Sequence, residues 1–193
     1  MKEKKRCPWV KLSNPTYVDY HDTEWGYASY DDNHHFEHLI LEGAQSGLSW
    51  ETVLMKRENY RKYFKNFDPQ KVAKISKKEI ETMLKDPGII RNRQKVESAV
   101  NNAKRFLEVQ KEFGTFSKYI WSFVNGKVIV NSPKKLKDYK PKSTISDELS
   151  KDLKKRGFKF VGSTTIYAHL QATGLINEHS SSCYLSGKKL LRK

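Results

Sequence analysis

An all-α fold is predicted by three features of this 193-residue chain. Apolar residues recur at helical spacing along most segments. Capping residues and glycine or proline stops bracket those segments. No alternating pattern runs longer than Lys127-Val128-Ile129-Val130. Asp31 and Asp32 can cap a helix in which Phe36, Leu39, Ile40 and Gly43 keep a period of about 3.6 residues. A second helix is expected from Ser49 or Trp50 towards Phe64, with basic residues on its outer face. Ser76 followed by Glu79 forms a capping box for a short helix holding Ile80, Met83 and Leu84. Lys85-Asp86-Pro87-Gly88 stops it, because proline removes a helical hydrogen bond and clashes with the preceding turn. From Asn92 a long helix resumes, with Val96, Ala99, Val100, Ala103, Phe106 and Leu107 on one face. Ser146 and Asp147 open another that ends near Gly157, and Gly162 to Gly174 gives the last. The polar, proline-containing stretch from Asn125 to Ser143 reads as a loop.

Composition narrows the function. Hydrophobic residues make up 37% and aromatics 12%, enough to bury a core and too much for a disordered tail. The formal net charge of +15 attracts polyanions through counterion release, which favours nucleic acid or an anionic membrane. A lysine-rich surface kept for solubility would give the same sum. No stretch reaches the length of a spanning helix and no apolar signal region opens the chain, so a soluble, cytoplasmic monomer away from membranes is expected.

The only cysteines, Cys7 and Cys183, lie near opposite ends, and each has a histidine at a spacing that suits a metal. Cys7 and His21 are separated by 13 residues, His179 and Cys183 by 3. Two thiolates and two neutral imidazoles would fill a tetrahedral zinc site with no open position, a structural one. Two unrelated buried thiols with surface histidines would satisfy the same spacing, and a disulfide is possible by count alone.

Three places carry chemistry. Pro87-Gly88-Ile89-Ile90 joins two helices and is followed at once by Arg91, Arg93 and Lys95. A glycine there allows close backbone approach, and the free N–H groups opening the next helix suit a phosphate. This has the form of a helix-hairpin-helix, which grips the DNA backbone without reading sequence. Next, Trp9, Tyr17, Tyr20, Trp25 and Trp50 crowd the first 50 residues together with Glu24 and Glu42. Aromatics are core by default, yet this mixture suits a pocket for a flat cation, since aromatic faces attract positive charge and a carboxylate accepts from an exocyclic amine. Last, Glu42 falls just before Gly43 at the end of an otherwise apolar helix, where an unpaired buried carboxylate is costly unless used. Gly47 and Leu48 follow between helices, a small residue and an apolar wedge that could enter a base stack.

Several blocks match one family in order: Tyr17-Val-Asp-Tyr20-His21-Asp-Thr-Glu-Trp25-Gly26, Leu41 to Trp50, Gly88-Ile-Ile-Arg91, Trp121-Ser-Phe-Val-Asn125 and Lys154-Lys-Arg-Gly157-Phe-Lys-Phe-Val-Gly162. From Cys7 to Cys183 the chain resembles 3-methyladenine DNA glycosylase I. The resemblance implies a helix-hairpin-helix DNA glycosylase fold over residues 1–193 as one unit. Terminal segments 1–30 and 160–193 would be tethered by one structural zinc on Cys7, His21, His179 and Cys183, and a helical core over 31–145 would carry the hairpin at 85–92. It implies a monofunctional hydrolase acting on N3-methyladenine in alkylated double-stranded DNA by base flipping and releasing 3-methyladenine. By the family's pattern Glu42 hydrogen-bonds the damaged base and helps electrostatically, Trp50 stacks on it, and Tyr17 and Tyr20 complete the pocket, with Trp9 and Trp25 nearby. Gly47 and Leu48 match the intrusion into the gap left by the flipped nucleotide, and Gly88, Ile89, Ile90 and Arg91 match the DNA grip. The chain departs from the pattern by one extra residue between Trp9 and Tyr17 and by Ser180 to Ser182 before the last cysteine. A DNA-binding module without catalysis would have no use for the Glu42–Trp50 block. A glycosylase for oxidised or mispaired bases would carry a catalytic aspartate or lysine near the hairpin, or four clustered cysteines. After Gly88 no aspartate occurs until Asp138.

Overall fold

The structure, a computed structural model, describes residues 4–192. Its helices are α1 (Pro15–Thr23), α2 (Asp32–Gln45), α3 (Trp50–Leu54), α4 (Arg57–Tyr63), α5 (Pro69–Val72), α6 (Lys77–Met83), α7 (Arg93–Phe113), α8 (Phe116–Ser122), α9 (Thr144–Lys155) and α10 (Ser163–Ala172). Two short strands, β1 (Ile129–Val130) and β2 (Ile176–Asn177), pair in parallel with Ile129 opposite Ile176. The fold is mostly helical, and β1 falls at the single strand pattern of the sequence. Among the described residues no helix is long and apolar enough to cross a membrane.

The anticipated caps form. Asp31 accepts from the Asn33 N–H at the start of α2, Asn92 from Lys95 at the start of α7, and Ser76 and Glu79 close a reciprocal capping box on α6. Four differences follow from local chemistry. Helix α1 is additional: Asn14 caps it and Pro15 presets its first turn. Helix α8 is also additional, capped by Thr115 and tied to α2 through Asp32, which accepts from the Phe116 and Ser117 N–H groups. The helix expected from Trp50 towards Phe64 breaks at Met55 and Lys56, which turns Arg57 inward to buried carboxylates. Helix α9 starts one turn earlier than expected, because Ser143, not Ser146, is its cap.

Helix α2 runs through the middle of the molecule, buried from His34 to Ala44, with α10, α7 and α8 packed around it. The main core gathers Phe36, Leu39 and Leu41 of α2 with Phe106, Phe116, Ile120 and Leu170. A second, smaller cluster joins the two ends of the chain: Cys7, Val10, Tyr20 and Trp25 meet Cys183 and Leu185. Gly174 holds this junction close. Its φ is +73°, and a Cβ there would stand 2.2 Å from the Tyr27 carbonyl carbon, so no other residue fits.

Candidate active site and metal cluster

At the seam between the two cores lies an open pocket of about 260 Å³. Trp9, Tyr17, Tyr20, Trp25, Glu42 and Trp50 all line it, so of the residues that the sequence grouped as a base pocket the structure brings together all but Glu24. The aromatic rings interlock: Trp9 meets Trp25 at 4.8 Å and Tyr17 at 5.6 Å between centroids, and Tyr20 meets Trp50 at 5.2 Å. Sequence reasoning missed Gln45, Gln171 and the cover supplied by Leu136, Tyr139 and Lys140. Those last three sit in the lysine-rich stretch read as a plain loop, where Tyr139 was the only aromatic signal.

Glu42 forms the floor. Its side chain is 4% exposed and makes no hydrogen bond among the described residues. His38 stands one helical turn before it, with Nδ1 at 3.8 Å from Glu42 Oε1. Burial raises the Glu42 pKa, while His38 and Arg57 pull against that shift. Glu24, which the sequence placed with Glu42, faces away from the pocket. Its carboxylate takes both terminal nitrogens of Arg57 at 2.7 and 2.6 Å and lies 2.7 Å from His38 Nε2. Hydrogen bonds from the histidines and Arg57 hold its pKa far below the carboxylate range despite burial. Asp138 lies outside the pocket and accepts from the Lys134 and Lys135 N–H groups of its own turn.

Beside the pocket the chain turns between α2 and α3. Gly47 has φ +79° in open space, so conformation alone calls for glycine, and Leu48 is 42% exposed at the tip. Glu42, Gln45 and Ala168 line both the pocket and the groove that runs under Gly47 and Leu48. The hairpin between α6 and α7 lies in a different setting from the one its sequence suggested. A Cβ at Gly88 would stand 2.6 Å from Asn59 Nδ2 and 2.9 Å from Asp86 Oδ1, so these side chains crowd the glycine and would have to move for a larger residue. Ile89 is buried in the core, and Ile90 donates its N–H to the Tyr60 hydroxyl. Of the three basic residues, Arg93 pairs with both oxygens of Glu81, and Lys95 donates to the Ala44 and Ser46 carbonyls at the end of α2. Arg91 alone is exposed without an ion pair among the described residues.

The four metal-type residues also converge. Cys7 Sγ lies 3.5 Å from His179 Nδ1, and Cys183 Sγ lies 3.6 Å from both His179 Nδ1 and His21 Nε2. A metal held about 2.3 Å from sulfur and about 2.0 Å from nitrogen gives tetrahedral sulfur–nitrogen edges of about 3.5 Å, so the set fits one ion. The other ring nitrogens are occupied: His21 Nδ1 is 2.8 Å from Asp22, and His179 Nε2 is 3.1 Å from the Trp25 carbonyl. Backbone N–H groups of Ser180 and Leu185 donate to the two sulfurs, as thiolates require. The cluster is a buried group that could bind a metal, and it backs directly onto the pocket. Trp25 packs edge-on against His179 at 4.9 Å, and Trp9 against His21 at 5.3 Å.

Known proteins resemble this chain in sequence and fold. The family profile described as methyladenine glycosylase matches residues 9–186. A DNA-3-methyladenine glycosylase of Haemophilus influenzae is 49% identical over 178 residues, covering 92% of this chain and 96% of that protein. A crystal structure of 3-methyladenine DNA glycosylase I superposes with a TM-score of 0.91 at 43% identity, covering 94% of this chain and all of that one. A structure of a single-residue variant of 3-methyladenine DNA glycosylase I in complex with 3-methyladenine gives a TM-score of 0.91 at 37% identity, covering 95% and 98%. With this pocket, this fold and these relatives, the chain belongs to the methyladenine glycosylase family of DNA glycosylases, and within it to 3-methyladenine DNA glycosylase I.

Proposed function

We propose that the protein is a monofunctional enzyme that hydrolyses the N-glycosidic bond of N3-methyladenine in alkylated double-stranded DNA and so opens base excision repair. The observation that carries this reading is Glu42, a buried carboxylate without a hydrogen bond at the floor of an aromatic pocket. Such a group needs a donor, and the N6 amine of a flat, positively charged base supplies one. Trp50 and its aromatic neighbours add cation–π attraction of about 0.5–2 kcal/mol. A guanine would turn its O6 acceptor towards the carboxylate, and two buried acceptors repel. The relative that binds 3-methyladenine supports the same choice of base.

Methylation at N3 already weakens the bond to the sugar, so the enzyme's task is to extrude and orient the base. Extrusion costs a few kcal/mol and least for a damaged, poorly stacked base. Gly47 and Leu48 stand beside the pocket, where Leu48 fills the vacated stack. No residue is assigned as an obligatory general base, and Glu42 acts by recognition and charge. Cys7, His21, His179 and Cys183 would hold one zinc, whose contribution is to fix the chain ends behind Trp9 and Trp25 and not to enter the reaction. The enzyme works as an intracellular monomer on DNA.

Incubating the protein with methylated DNA and separating the released bases by chromatography tests the reading. Free 3-methyladenine is expected, and release of 7-methylguanine with equal ease would contradict it. The grip has its own test. Because Arg91 ends the Gly88-Ile-Ile-Arg91 segment and is exposed without an ion pair among the described residues, Arg91→Ala is expected to weaken binding to all sequences alike. The slope of log affinity against log salt should become shallower by about one. An unchanged slope would remove Arg91 from the DNA interface.

A further inference from the structure

Behind Glu42 the interior carries charges that the reaction described above does not use. His34, His38 and Glu42 recur every four residues along α2 and therefore share one face. His38 is fully buried. Its Nε2 lies 2.7 Å from Glu24 Oε1, and its Nδ1, with no hydrogen-bond partner, stands 3.8 Å from Glu42 Oε1. The Tyr20 and Trp50 rings of the pocket stack on the imidazole at 6.3 and 6.0 Å.

A neutral imidazole carries one N–H. If Nε2 donates to Glu24, the Nδ1 lone pair faces the Glu42 carboxylate; if Nδ1 donates to Glu42, the Nε2 lone pair faces Glu24 at hydrogen-bond distance. With both carboxylates ionised, either neutral tautomer sets two acceptors against each other inside the protein, and only the doubly protonated ring turns an N–H to each side. We propose that His38, as an imidazolium bridging Glu24 and Glu42, is a positioning residue that keeps the Glu42 carboxylate ionised and aimed at the base. The proposal rests on Glu42 being the group that recognises the base.

The surroundings agree with a single cation at this position. Burial lowers the His38 pKa, but Glu24 and Glu42 reverse the shift, so it ends above the ordinary histidine value in spite of the opposing Arg57. Its histidine neighbours move the other way: burial takes His34 down to about 4, His35 down to about 3 and His169 well below the usual value. They stay neutral beside it. Glu24, His34 and His38 also come close enough to share a metal. However, Arg57 holds both Glu24 oxygens and Arg192 approaches at 3.3 Å, so a divalent ion would sit against two guanidinium groups.

The signs give a test. The raised His38 pKa means the bridge is intact at lower pH and is lost as pH rises through it. The raised Glu42 pKa means the carboxylate is lost as pH falls. Affinity for free 3-methyladenine, followed by tryptophan fluorescence over roughly pH 5 to 9, should therefore fall on both sides. Expressing each His38→Gln affinity relative to wild type at the same pH cancels the base's own titration. His38→Gln is expected to bind about tenfold more weakly near neutrality. It should also lose the alkaline limb, and its acid limb should move upward because Glu42 has lost its counterion. Equal profiles in wild type and variant would overturn the role of His38 while leaving Glu42 in place. Failure of wild type itself to bind would sink the reading of the pocket and this proposal with it. If the variant does not fold, nitrogen chemical shifts of the wild-type histidines decide. A buried ring protonated at both nitrogens at neutral pH supports the bridge, and a singly protonated His38 overturns it.

Discussion

Cys7→Ala or His179→Ala is expected to lower stability by about 4 kcal/mol or more, the range reached when a structural metal site is lost. In a chain of this length that corresponds to a fall in melting temperature of roughly 8–16 °C. The expectation comes from the geometry: four buried ligand atoms at tetrahedral separations, with both histidines held on their far side by Asp22 and the Trp25 carbonyl. Ligand loss would leave a thiolate or imidazole buried without its cation, and the two chain ends would lose their common anchor. Because Trp9 and Trp25 pack on the ligand histidines, base affinity should fall alongside stability. Elemental analysis of protein purified without chelator should find one zinc per chain. Well below one, or an unchanged melting curve after the metal has been stripped, would remove zinc from the account.

Glu42→Gln should separate recognition from support. It keeps the shape of the side chain and removes its charge. Hydrogen bonds to charged groups contribute about 1.5–3 kcal/mol, so free 3-methyladenine should bind roughly 10- to 150-fold more weakly. Some excision should survive, because the bond to a methylated base is already labile and no essential proton transfer is lost. Stability should move the opposite way. Burial raises the Glu42 pKa, so the folded state holds a proton that the unfolded state releases, and stability falls as pH rises through that window. A neutral glutamine escapes this penalty, and the variant is expected to melt slightly higher at neutral pH. If Glu42 merely braced α2, the variant would melt lower and bind the base with an unchanged dissociation constant.

These residues also mark what the sequence could tell. Caps such as Asp31, Ser76 and Asn92 were legible because their chemistry is local, confined to three or four residues. The aromatic pocket was legible because its members cluster within the first 50 residues. Helices α1 and α8 escaped notice since each spans too few turns to establish a period. Glu24 was grouped with the pocket because only tertiary structure brings Arg57 from α4 to claim it. Arg93 and Lys95 read as phosphate ligands for the same reason: nothing in a basic run discloses that Glu81 or the end of α2 has taken two of its members. His38 did leave a trace, since it precedes Glu42 by one helical turn on α2.

The junction of the chain ends has a consequence for how the protein is made. Cys7 and His179 are 172 positions apart, so during translation the first half of the cluster leaves the ribosome long before the second. The hairpin and most of the lysines are already outside by then, and a nascent chain can be drawn to polyanions while Trp9 and Trp25 still lack the histidine face they rest on. The pocket is therefore the last part to mature, and the last residue of the cluster, Cys183, is read out only after every described helix has been synthesised. A chain stopped between the hairpin and that codon would carry the hairpin and most of the lysines without the completed cluster behind Trp9 and Trp25.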